Sequence, residues 1–297
     1  MAADLVAGLT SIIIVAADSG PLLGDAVASA LAQDAAVEVL VLDNASRDGE
    51  PARVAAAHAA DQRLRLVRNG SNLGFGTACN RGAALAQGDA LLFQNPDCTL
   101  PASAVSGLRR VLAGDARLAL VGARVCAPDG KPARGNRRRE PSLRRVIMAA
   151  SGLARLEARW PALAGVEMPA AAVAAAVEEV EAVSGALMLV RREAFDAVGG
   201  FDPAYFLHAE DLDLCRRLRD AGWRVAIAGG VPVSHAQGGS SRHRPVFVAW
   251  HKHRGFWRYF TRFDPAARNP LLRALVWLAL WLRFVLQVPW LWLRRRR

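Results

Sequence analysis

Short apolar runs alternate with amphipathic segments along the first half of the chain. The runs are rich in β-branched and aliphatic residues, are too short to cross a membrane, and predict buried strands over 9–16, 37–42, 64–67, 90–93 and 118–125. Segments with helical spacing of apolar residues separate them. They predict helices over 22–33, from the turn at 46–49 to residue 58, around 78–85 and over 104–112. This repeated order predicts an α/β fold with a Rossmann-like, mostly parallel sheet flanked by helices.

Acidic and amide side chains follow the predicted strands at their carboxyl ends. Asp18 follows the first strand, Asp43 and Asn44 the second, and Asn95 and Asp97 the fourth. Ligands bind at this edge of an open α/β sheet, where carboxylates can contact a ribose or a base and hold a divalent cation against a diphosphate. A plain turn over 95–97 is the alternative. The absence of a Gly-Lys-Ser/Thr loop and of GxGxxG after the first strand argues against P-loop NTPases and dinucleotide dehydrogenases.

The segment 126–182 differs in character from the residues before it. It contains a polar loop with Lys131, Arg134 and the run Arg137–Arg139, then helical spacing over 146–160 and an alanine-rich stretch over 168–180. We expect an insertion over the cleft that acts as a lid or contacts an acceptor. A solvated basic loop without a partner is the alternative.

A second group of polar residues opens the helix predicted after residue 209. Glu210 and Asp211 stand at its start, so one of them can face the cleft and take a proton from an attacking hydroxyl. Charge complementarity at a helix N-terminus is the alternative explanation. A short strand over 225–228 follows, and then His235, whose neighbouring glycines and serines suggest a metal ligand beside a backbone that wraps phosphate.

The net charge of +11 is concentrated at the C-terminal end of the chain. Residues 242–297 carry thirteen Lys or Arg and one acidic residue, so residues 1–241 sum to −1. This tail also contains an apolar segment in which Arg283 and Gln287 share a face and which Arg283 and Pro289 interrupt. This composition fits an amphipathic helical anchor on an anionic membrane surface better than a nucleic-acid-binding region or a helix that spans the membrane. Packing on the catalytic domain or on a second copy, as in a homodimer, is the alternative.

Cysteine usage bears on the cellular setting. The four cysteines show neither metal-type nor redox-type spacing, and no secretory segment precedes Ser11. We therefore expect a reducing, cytoplasmic setting, with the protein peripheral on the inner face of the cell membrane.

Six motifs carry a family resemblance that covers about residues 9–262. In order, they are VLVLDNASRDG, NLGFGTACNRG, LLFQNPD, VSGALMLVRREAF, VGGFDPAYFLHAEDLDLCRRLRDAGW and SHAQGGSS. In this order and spacing they resemble the family 2 glycosyltransferases, in particular the bacterial rhamnosyltransferase-like branch. The resemblance implies a GT-A fold and inverting transfer of a sugar, such as rhamnose, from a dTDP or UDP sugar to a lipid-linked envelope acceptor.

The resemblance also implies roles on the donor side. Asp43 matches the family's contact to the nucleotide base, and Asn72, Gly74 and Asn80 match its donor-site turn and helix. We expect Asp18, Asn44 and Asn95 to complete this donor site.

On the catalytic side, Asp97 matches the last carboxylate of the family's metal-binding DxD motif. His235 matches the histidine that completes the shell of Mg²⁺ or Mn²⁺. Asp211 matches the catalytic base, and Glu210 precedes it in the same motif.

Two departures from the family pattern keep other functions open. The first strand ends in Ala16, Ala17 and Asp18 where relatives carry Thr-Tyr-Asn, and Asn95 replaces the first aspartate of the metal motif, which should weaken metal binding. The alternatives are an inactive sugar-nucleotide-binding subunit of an envelope glycan assembly and a sugar nucleotidyltransferase. For the enzyme that the resemblance implies, we expect a GT-A catalytic domain over 1–241, with 126–182 as a variable insertion, and a basic, aromatic, helical membrane-associating region over 242–297.

Overall fold

The computed structural model describes residues 8–133, 135–168, 177–236 and 244–294. Its strands are β1 (Thr10–Ala16), β2 (Val37–Asp43), β3 (Leu64–Arg68), β4 (Ala90–Gln94), β5 (Cys98–Thr99), β6 (Leu118–Cys126), β7 (Arg137–Arg138), β8 (Val177–Glu179), β9 (Ala182–Val183), β10 (Leu187–Arg191) and β11 (Arg224–His235). Its helices are α1 (Leu22–Leu31), α2 (Glu50–Ala57), α3 (Phe75–Leu85), α4 (Ala104–Ala113), α5 (Leu143–Ser151), α6 (Arg192–Ala197), α7 (Glu210–Asp220), α8 (Pro245–Phe263) and α9 (Pro270–Arg294). The strands and helices predicted up to residue 125 are confirmed, with small shifts at their ends.

Nine of the described strands form one mixed sheet in the order β3-β2-β1-β4-β10-β6-β11-β5, with β8 pairing with β11. β1 to β4 are joined by parallel pairings, and so are β6 and β11. β10 lies between β4 and β6 and runs antiparallel to both, while β5 and β8 run antiparallel to β11. Since most strands run in one direction, the prediction of a mostly parallel sheet is confirmed, and the carboxyl ends of β1, β2 and β4 share one edge.

Helices cover both faces of the sheet, which explains the continuous apolar runs. Ile12, Ile13 and Ile14 of β1 are fully buried, with Ile12 and Ile14 in the core beneath α1 and α4 and Ile13 in the core beneath α3 and α7. Arg109 of α4 is also buried and binds both oxygens of Asp89 at 2.8 and 3.0 Å. This ion pair ties α4 to the amino end of β4, the edge of the sheet opposite the carboxyl ends.

The segment 126–182 differs most from its prediction. The helix predicted over 146–160 is shorter, because α5 ends at Ser151, where Gly152 adopts a left-handed φ of 78°. Two 3₁₀ turns follow, Leu153–Leu156 and Pro161–Leu163. β7 and β9 pair in a small separate sheet. Arg134 and residues 169–176 of the alanine-rich stretch lie outside the described residues.

One boundary outside this segment needs correction. The strand predicted over 225–228 extends to His235, because a bulge between Ala228 and Pro232 lets the pairing resume after two glycines. Strand β10 begins at Leu187, and helix α2 has Gly49 at its N-cap.

The C-terminal region consists of two long helices packed on each other. Trp250 of α8 contacts Trp281 and Phe284 of α9, with ring centroids 4.7 and 5.6 Å apart. The opposite side of α9 exposes large apolar side chains, including Leu271, Leu275, Leu278, Leu282, Val285, Leu286 and Trp290. The window Pro270–Trp292 is long and apolar enough to cross a membrane by length and composition alone. Helix α9 continues through Pro289. The predicted boundary between the two regions, at 241/242, lies outside the described residues.

Candidate functional site

Unusual backbone conformations concentrate at one edge of the sheet. Among the described residues other than glycine, Asp18, Ala45, His208 and Ala209 have positive φ angles, of 52°, 59°, 68° and 70°. The first two follow β1 and β2 at their carboxyl ends, and the last two precede α7. Strained backbone of this kind clusters at functional sites, where the surrounding structure holds it. The carboxyl edge that the sequence indicated is therefore the candidate site.

Asp18 and Asp43 shape the loop that follows β2. Oδ1 of Asp43 accepts a hydrogen bond from the Ser46 amide at 2.8 Å, and Oδ1 of Asp18 accepts one from the Arg47 amide at 2.7 Å. The Asp18 amide donates to Oγ of Ser46 at 3.3 Å. Oδ2 of Asp43 has no hydrogen-bond partner in the described chain, so this oxygen can accept a bond from a ligand. Neither Ser46 nor Arg47 was among the predicted site residues.

Asn44 organises the glycine turn before α3 instead of pointing to a ligand. It is 3% exposed, and its Nδ2 donates to the Gly74 carbonyl at 3.1 Å and to Oδ1 of Asn72 at 3.3 Å. Its Oδ1 accepts a bond from Asn69, a residue that the sequence analysis missed, at 2.6 Å. Asn72 Oδ1 also binds the Gly74 amide at 2.9 Å. Asn72 itself is exposed at the surface of this turn.

Gly74 allows the turn to meet the loop that leads to α7. It has a φ of 80°, and a Cβ atom there would lie 2.5 Å from the carbonyl oxygen of Phe206. That carbonyl accepts a hydrogen bond from the Phe75 amide at 2.9 Å. Only glycine fits this close approach.

Asn80 is held by the backbone around Phe201. Its Nδ2 donates to the Phe201 carbonyl and its Oδ1 accepts from the Phe201 amide, both at 2.8 Å. With both ends of the amide engaged, Asn80 positions the Gly199–Gly200 turn below the site. A direct contact between Asn80 and a donor stays a prediction.

Asp97 and His235 come together although 138 residues separate them. Nε2 of His235 lies 2.9 Å from Oδ1 of Asp97 and 3.5 Å from Nδ2 of Asn95. Both side chains of the closer pair are mostly buried.

The chain over 8–133, 135–168, 177–236 and 244–294 contains no group of three or more His, Cys, Asp or Glu side chains that could hold a metal ion. A carboxylate and an imidazole nevertheless fit Mg²⁺ or Mn²⁺, which commonly bind one or two protein ligands together with substrate phosphates and water. The glycines and serines after His235 lie outside the described residues.

The two acidic residues at the start of α7 lie in different environments. Glu210 is 7% exposed, and its Oε2 has no partner among the described residues. Burial, reinforced by the charge of Asp211, raises the pKa of Glu210 to about 8. Burial would also raise the pKa of Asp211, but the charge and hydrogen bond of Arg138, with the Leu212 and Gly185 amides, outweigh it and lower that pKa. At neutral pH, Glu210 is therefore a neutral acid beside an anionic Asp211.

Arg138 is the functional residue that the sequence analysis did not single out. Its Nη2 binds Oδ2 of Asp211 and the Val183 carbonyl. The sequence offered Arg138 only as one member of a basic run in the segment 126–182. Its role depends on the pairing of β7 with β9, which the sequence did not predict.

Hydrogen bonds connect the two halves of the site through Gly185 and Ala186. The Gly185 amide donates to Oδ2 of Asp211 at 3.0 Å, and the next residue, Ala186, accepts from the Asn95 amide at 3.0 Å. Asp211 and the loop that carries Asn95 and Asp97 are thus hydrogen-bonded to two adjacent residues, Gly185 and Ala186. The turn at Gly74 joins the same site through Phe206. Hydrogen bonds thus connect the segments that carry the predicted residues, and Asn44 and Asn80 hold the backbone around them.

Comparison with known proteins identifies the family. The model of glycosyl transferase family 2 matches residues 11–171, and that of glycosyl transferase family 21 matches residues 143–255. The N-acetylglucosaminyl-diphospho-decaprenol L-rhamnosyltransferase of Mycobacterium tuberculosis is 32% identical over 273 residues, covering 83% of this chain and 86% of the relative. Rhamnosyltransferase WbbL of Escherichia coli is 36% identical over 99 residues, covering 31% of this chain and 33% of the relative.

Two solved structures share the fold. One is the mannosyltransferase PcManGT from Pyrobaculum calidifontis in complex with GDP-Man and Mn²⁺, with a TM-score of 0.60, 20% identity, and coverage of 97% of this chain and 73% of that one. The other is GalNAc-T7 with UDP, GalNAc and Mn²⁺, with a TM-score of 0.58, 15% identity, and coverage of 77% and 43%. The expected GT-A fold is thereby confirmed. Since the family 2 model covers more than half of the chain and the mycobacterial relative aligns with most of it, the chain belongs to glycosyl transferase family 2 and is a glycosyltransferase.

Proposed function

We propose that this enzyme transfers a rhamnosyl group from a nucleotide-diphosphate sugar, of the dTDP or UDP type, to a lipid-linked acceptor of the cell envelope, with inversion at the anomeric carbon. The likeness to the mycobacterial rhamnosyltransferase, whose name gives an N-acetylglucosaminyl-diphospho-decaprenol acceptor, supports the sugar and the acceptor class. The observation that carries the reaction type is the attachment of Asp211 and of the Asp97 loop to neighbouring residues, Gly185 and Ala186.

The donor side of the cleft suits a nucleotide. Asp43 presents Oδ2 to the base or ribose, and the turn at Asn72 and Gly74 forms the adjoining wall. Asp18, beside the Arg47 amide, borders the same pocket. Carboxylate oxygens accept hydrogen bonds from sugar hydroxyls and from the imide N–H of a pyrimidine base, which accounts for their position at this edge.

Asp211 is the general base of the proposed reaction. It takes the proton of the acceptor hydroxyl as that oxygen forms a bond to the anomeric carbon. The bond from the anomeric carbon to the diphosphate breaks on the opposite face, and its electron pair leaves with the nucleoside diphosphate. Glu210, neutral beside it, leaves Asp211 as the charged member of this pair at neutral pH.

Asp97 and His235 would hold a divalent cation, Mg²⁺ or Mn²⁺. When bound, such a cation neutralises the charge that develops on the leaving diphosphate. The Asn95 amide group, 3.5 Å from His235, supports the position of the imidazole.

The C-terminal helices fit attachment to the inner face of the cell membrane. Leu275, Leu278 and Leu282 of α9 are exposed by 61, 56 and 54%, and Arg268 and Arg273 flank the beginning of this face. Apolar side chains next to cations suit the surface of an anionic bilayer. Attachment there brings the enzyme to a lipid-linked acceptor.

The proposal is tested by transfer of radiolabelled rhamnose from dTDP-rhamnose to an N-acetylglucosaminyl diphosphate that carries a short lipid chain. UDP-glucose and GDP-mannose serve as competing donors, each with and without Mn²⁺. We expect a rhamnosylated product of inverted anomeric configuration, and Asp211→Asn should lower kcat by roughly 10² to 10⁴-fold.

Donor binding by the same variant separates a lost base from a lost fold. The dissociation constant of dTDP-rhamnose, measured by calorimetry, should stay within about twofold of wild type for Asp211→Asn, because the substitution removes one charge from the acceptor side. Product formation by Asp211→Asn at the wild-type rate would contradict the mechanism. Failure of wild type to bind or use any of the donors would contradict the proposed function.

A further inference from the structure

Three cationic side chains lie on the acceptor side of Asp211. Arg138 binds Asp211 directly. Lys252 belongs to α8, and electrostatic interactions link it both to Arg138 and to Arg283 of α9. Lys252 lies one helical turn before Gly255, where α8 packs on the segment that leads into α7, and its charge interacts with those of Arg138 and Arg283.

Close packing fixes this arrangement. His251 of α8 stacks on Phe206 with ring centroids 4.5 Å apart, and a Cβ atom at Gly255 would lie 2.6 Å from the carbonyl oxygen of His208. Helix α8 therefore lies directly on the loop that leads into α7. Phe284 of α9 packs on His253, with centroids 5.5 Å apart, which holds α9 against the part of α8 that carries Lys252.

The cluster has more positive charge than its surroundings neutralise. In the described part of the chain, neither Lys252 nor Arg283 forms an ion pair with a carboxylate, although Glu167 acts on Lys252 at longer range. Desolvation, followed by the charges of Arg283 and Arg138, lowers the pKa of Lys252, although the residue as a whole is exposed. His208 lies beside the same cations, and its Nε2 is buried without a hydrogen-bond partner among the described residues. Uncompensated cations around an unpartnered polar atom indicate a site for an anion.

The position of the cluster identifies the anion. The donor diphosphate belongs with Asp97 and His235, on the other side of Gly185. Helix α9 continues from Arg283 into Val285 and Leu286, which are 61 and 70% exposed, so the cations stand beside a surface suited to a lipid chain. We propose that Arg138, Lys252 and Arg283 bind the diphosphate of the lipid-linked acceptor, and that Arg138 leaves Asp211 to do so. This inference rests on the proposed function.

The exchange of Arg138 makes the base depend on the acceptor. In the described structure, Oδ2 of Asp211 accepts from Arg138 and from the Gly185 amide, and Oδ1 accepts from the Leu212 amide. A carboxylate held in this way is a weak base. When Arg138 moves to the diphosphate, Oδ2 becomes available to the acceptor hydroxyl. Water alone does not draw Arg138 away, so the donor is protected from hydrolysis until an acceptor arrives.

The first test compares two acceptors with the full-length enzyme in detergent micelles. One is N-acetylglucosaminyl diphosphate on a farnesyl chain, and the other carries N-acetylglucosamine on the same chain through an ether. We expect Lys252→Ala and Arg283→Ala to raise the KM of the diphosphate acceptor about tenfold each, with the KM of dTDP-rhamnose unchanged. Use of the ether acceptor should be weak in wild type and insensitive to both substitutions.

Arg110→Ala is the matched control. Arg110 is exposed on α4, which packs on the face of the sheet opposite α7. We expect its acceptor KM to equal that of wild type. An unchanged KM in Lys252→Ala and Arg283→Ala, or an equal rise for both acceptors, would refute the diphosphate site.

The second test addresses the exchange of Arg138. Arg138→Ala should raise the KM of the diphosphate acceptor and, because Asp211 is released, increase hydrolysis of dTDP-rhamnose without acceptor severalfold. Arg138→Lys retains the charge and should recover most of the acceptor affinity, which also guards against misfolding of the alanine variant. Hydrolysis at or below the wild-type rate in both variants would refute the exchange.

These outcomes separate the two proposals. If wild type transfers rhamnose to the diphosphate acceptor while the cationic variants behave like wild type, the inference fails and the proposed function stands. If wild type transfers rhamnose to neither acceptor, the proposed function fails and the inference fails with it.

Discussion

Replacement of Glu210 by glutamine tests whether Glu210 and Asp211 have the protonation states that their surroundings dictate. Glutamine has nearly the same shape as a protonated glutamate and cannot ionise. Because the pKa of Glu210 is raised to about 8, the wild-type side chain is mostly neutral at pH 7. We therefore expect Glu210→Gln to fold normally and to retain transfer at pH 7 within about threefold.

The stability difference between the two proteins should depend on pH in a defined way. Between the ordinary value of 4.5 and about 8, native Glu210 retains a proton that the unfolded chain releases. The wild type therefore loses up to about 1.4 kcal/mol of unfolding free energy per pH unit relative to Glu210→Gln. From pH 5.5 to 7.5 the relative loss amounts to roughly 2 to 3 kcal/mol, and it levels off above pH 8.

Urea denaturation followed by tryptophan emission can measure this difference, since the chain has eight tryptophans. The free energy of Glu210→Gln minus that of wild type should rise from pH 5.5 to 7.5 and then flatten. Glu193→Gln changes an exposed glutamate of α6 and should give a difference that does not vary with pH. A difference for Glu210→Gln that stays constant from pH 5.5 to 8.5 would refute the assignment of a buried, neutral acid.

Three further substitutions or probes follow from the structure. Gly74→Ala places a Cβ atom 2.5 Å from the Phe206 carbonyl, so it should lower the thermal midpoint and weaken donor binding. Gly70→Ala, with no atom within 4 Å, should change neither, and equal effects at both positions would contradict the packing argument. Arg109→Met removes a buried guanidinium from Asp89, whose side chain is 41% exposed, and should cost about 2–3 kcal/mol of unfolding free energy in urea; a loss below about 1 kcal/mol would argue against it. Burial raises the pKa of the Cys79 and Cys98 thiols, so both should react with Ellman's reagent only on unfolding, and fast labelling of native protein would disagree.

The sheet and the residues at its edge could be predicted because their signals are local. Continuous apolar runs mark strands buried on both faces, and polar residues mark their carboxyl ends: Asp18 two residues after Ala16, Asp43 after Leu42 and Asn95 after Gln94. Topology then brings these ends together without further information. The same reasoning failed for β11, whose apolar pattern stops at Gly229–Gly230 although its pairing continues to His235.

The supporting roles of amides were harder to predict. Asn44 and Asn80 have the residue type and position of ligand contacts, yet each uses its side chain on backbone groups far along the chain. Whether an asparagine faces a ligand or a buried carbonyl depends on tertiary packing, which a single sequence does not encode locally.

The partner of Asp211 depends on contacts that no local pattern encodes. Arg138 is 73 residues away from Asp211 and reaches it because β7 pairs with β9, which brings Arg138 opposite Ala182. Both strands have only two residues, so neither produces a recognisable apolar period. The difference between the pKa values of Glu210 and Asp211 follows from this contact. Burial alone would favour the neutral form of both Glu210 and Asp211, and a single guanidinium on one of them decides which acid remains charged. A segment that reads as a basic loop in the sequence thus sets the charge state of the base at the centre of the proposed reaction.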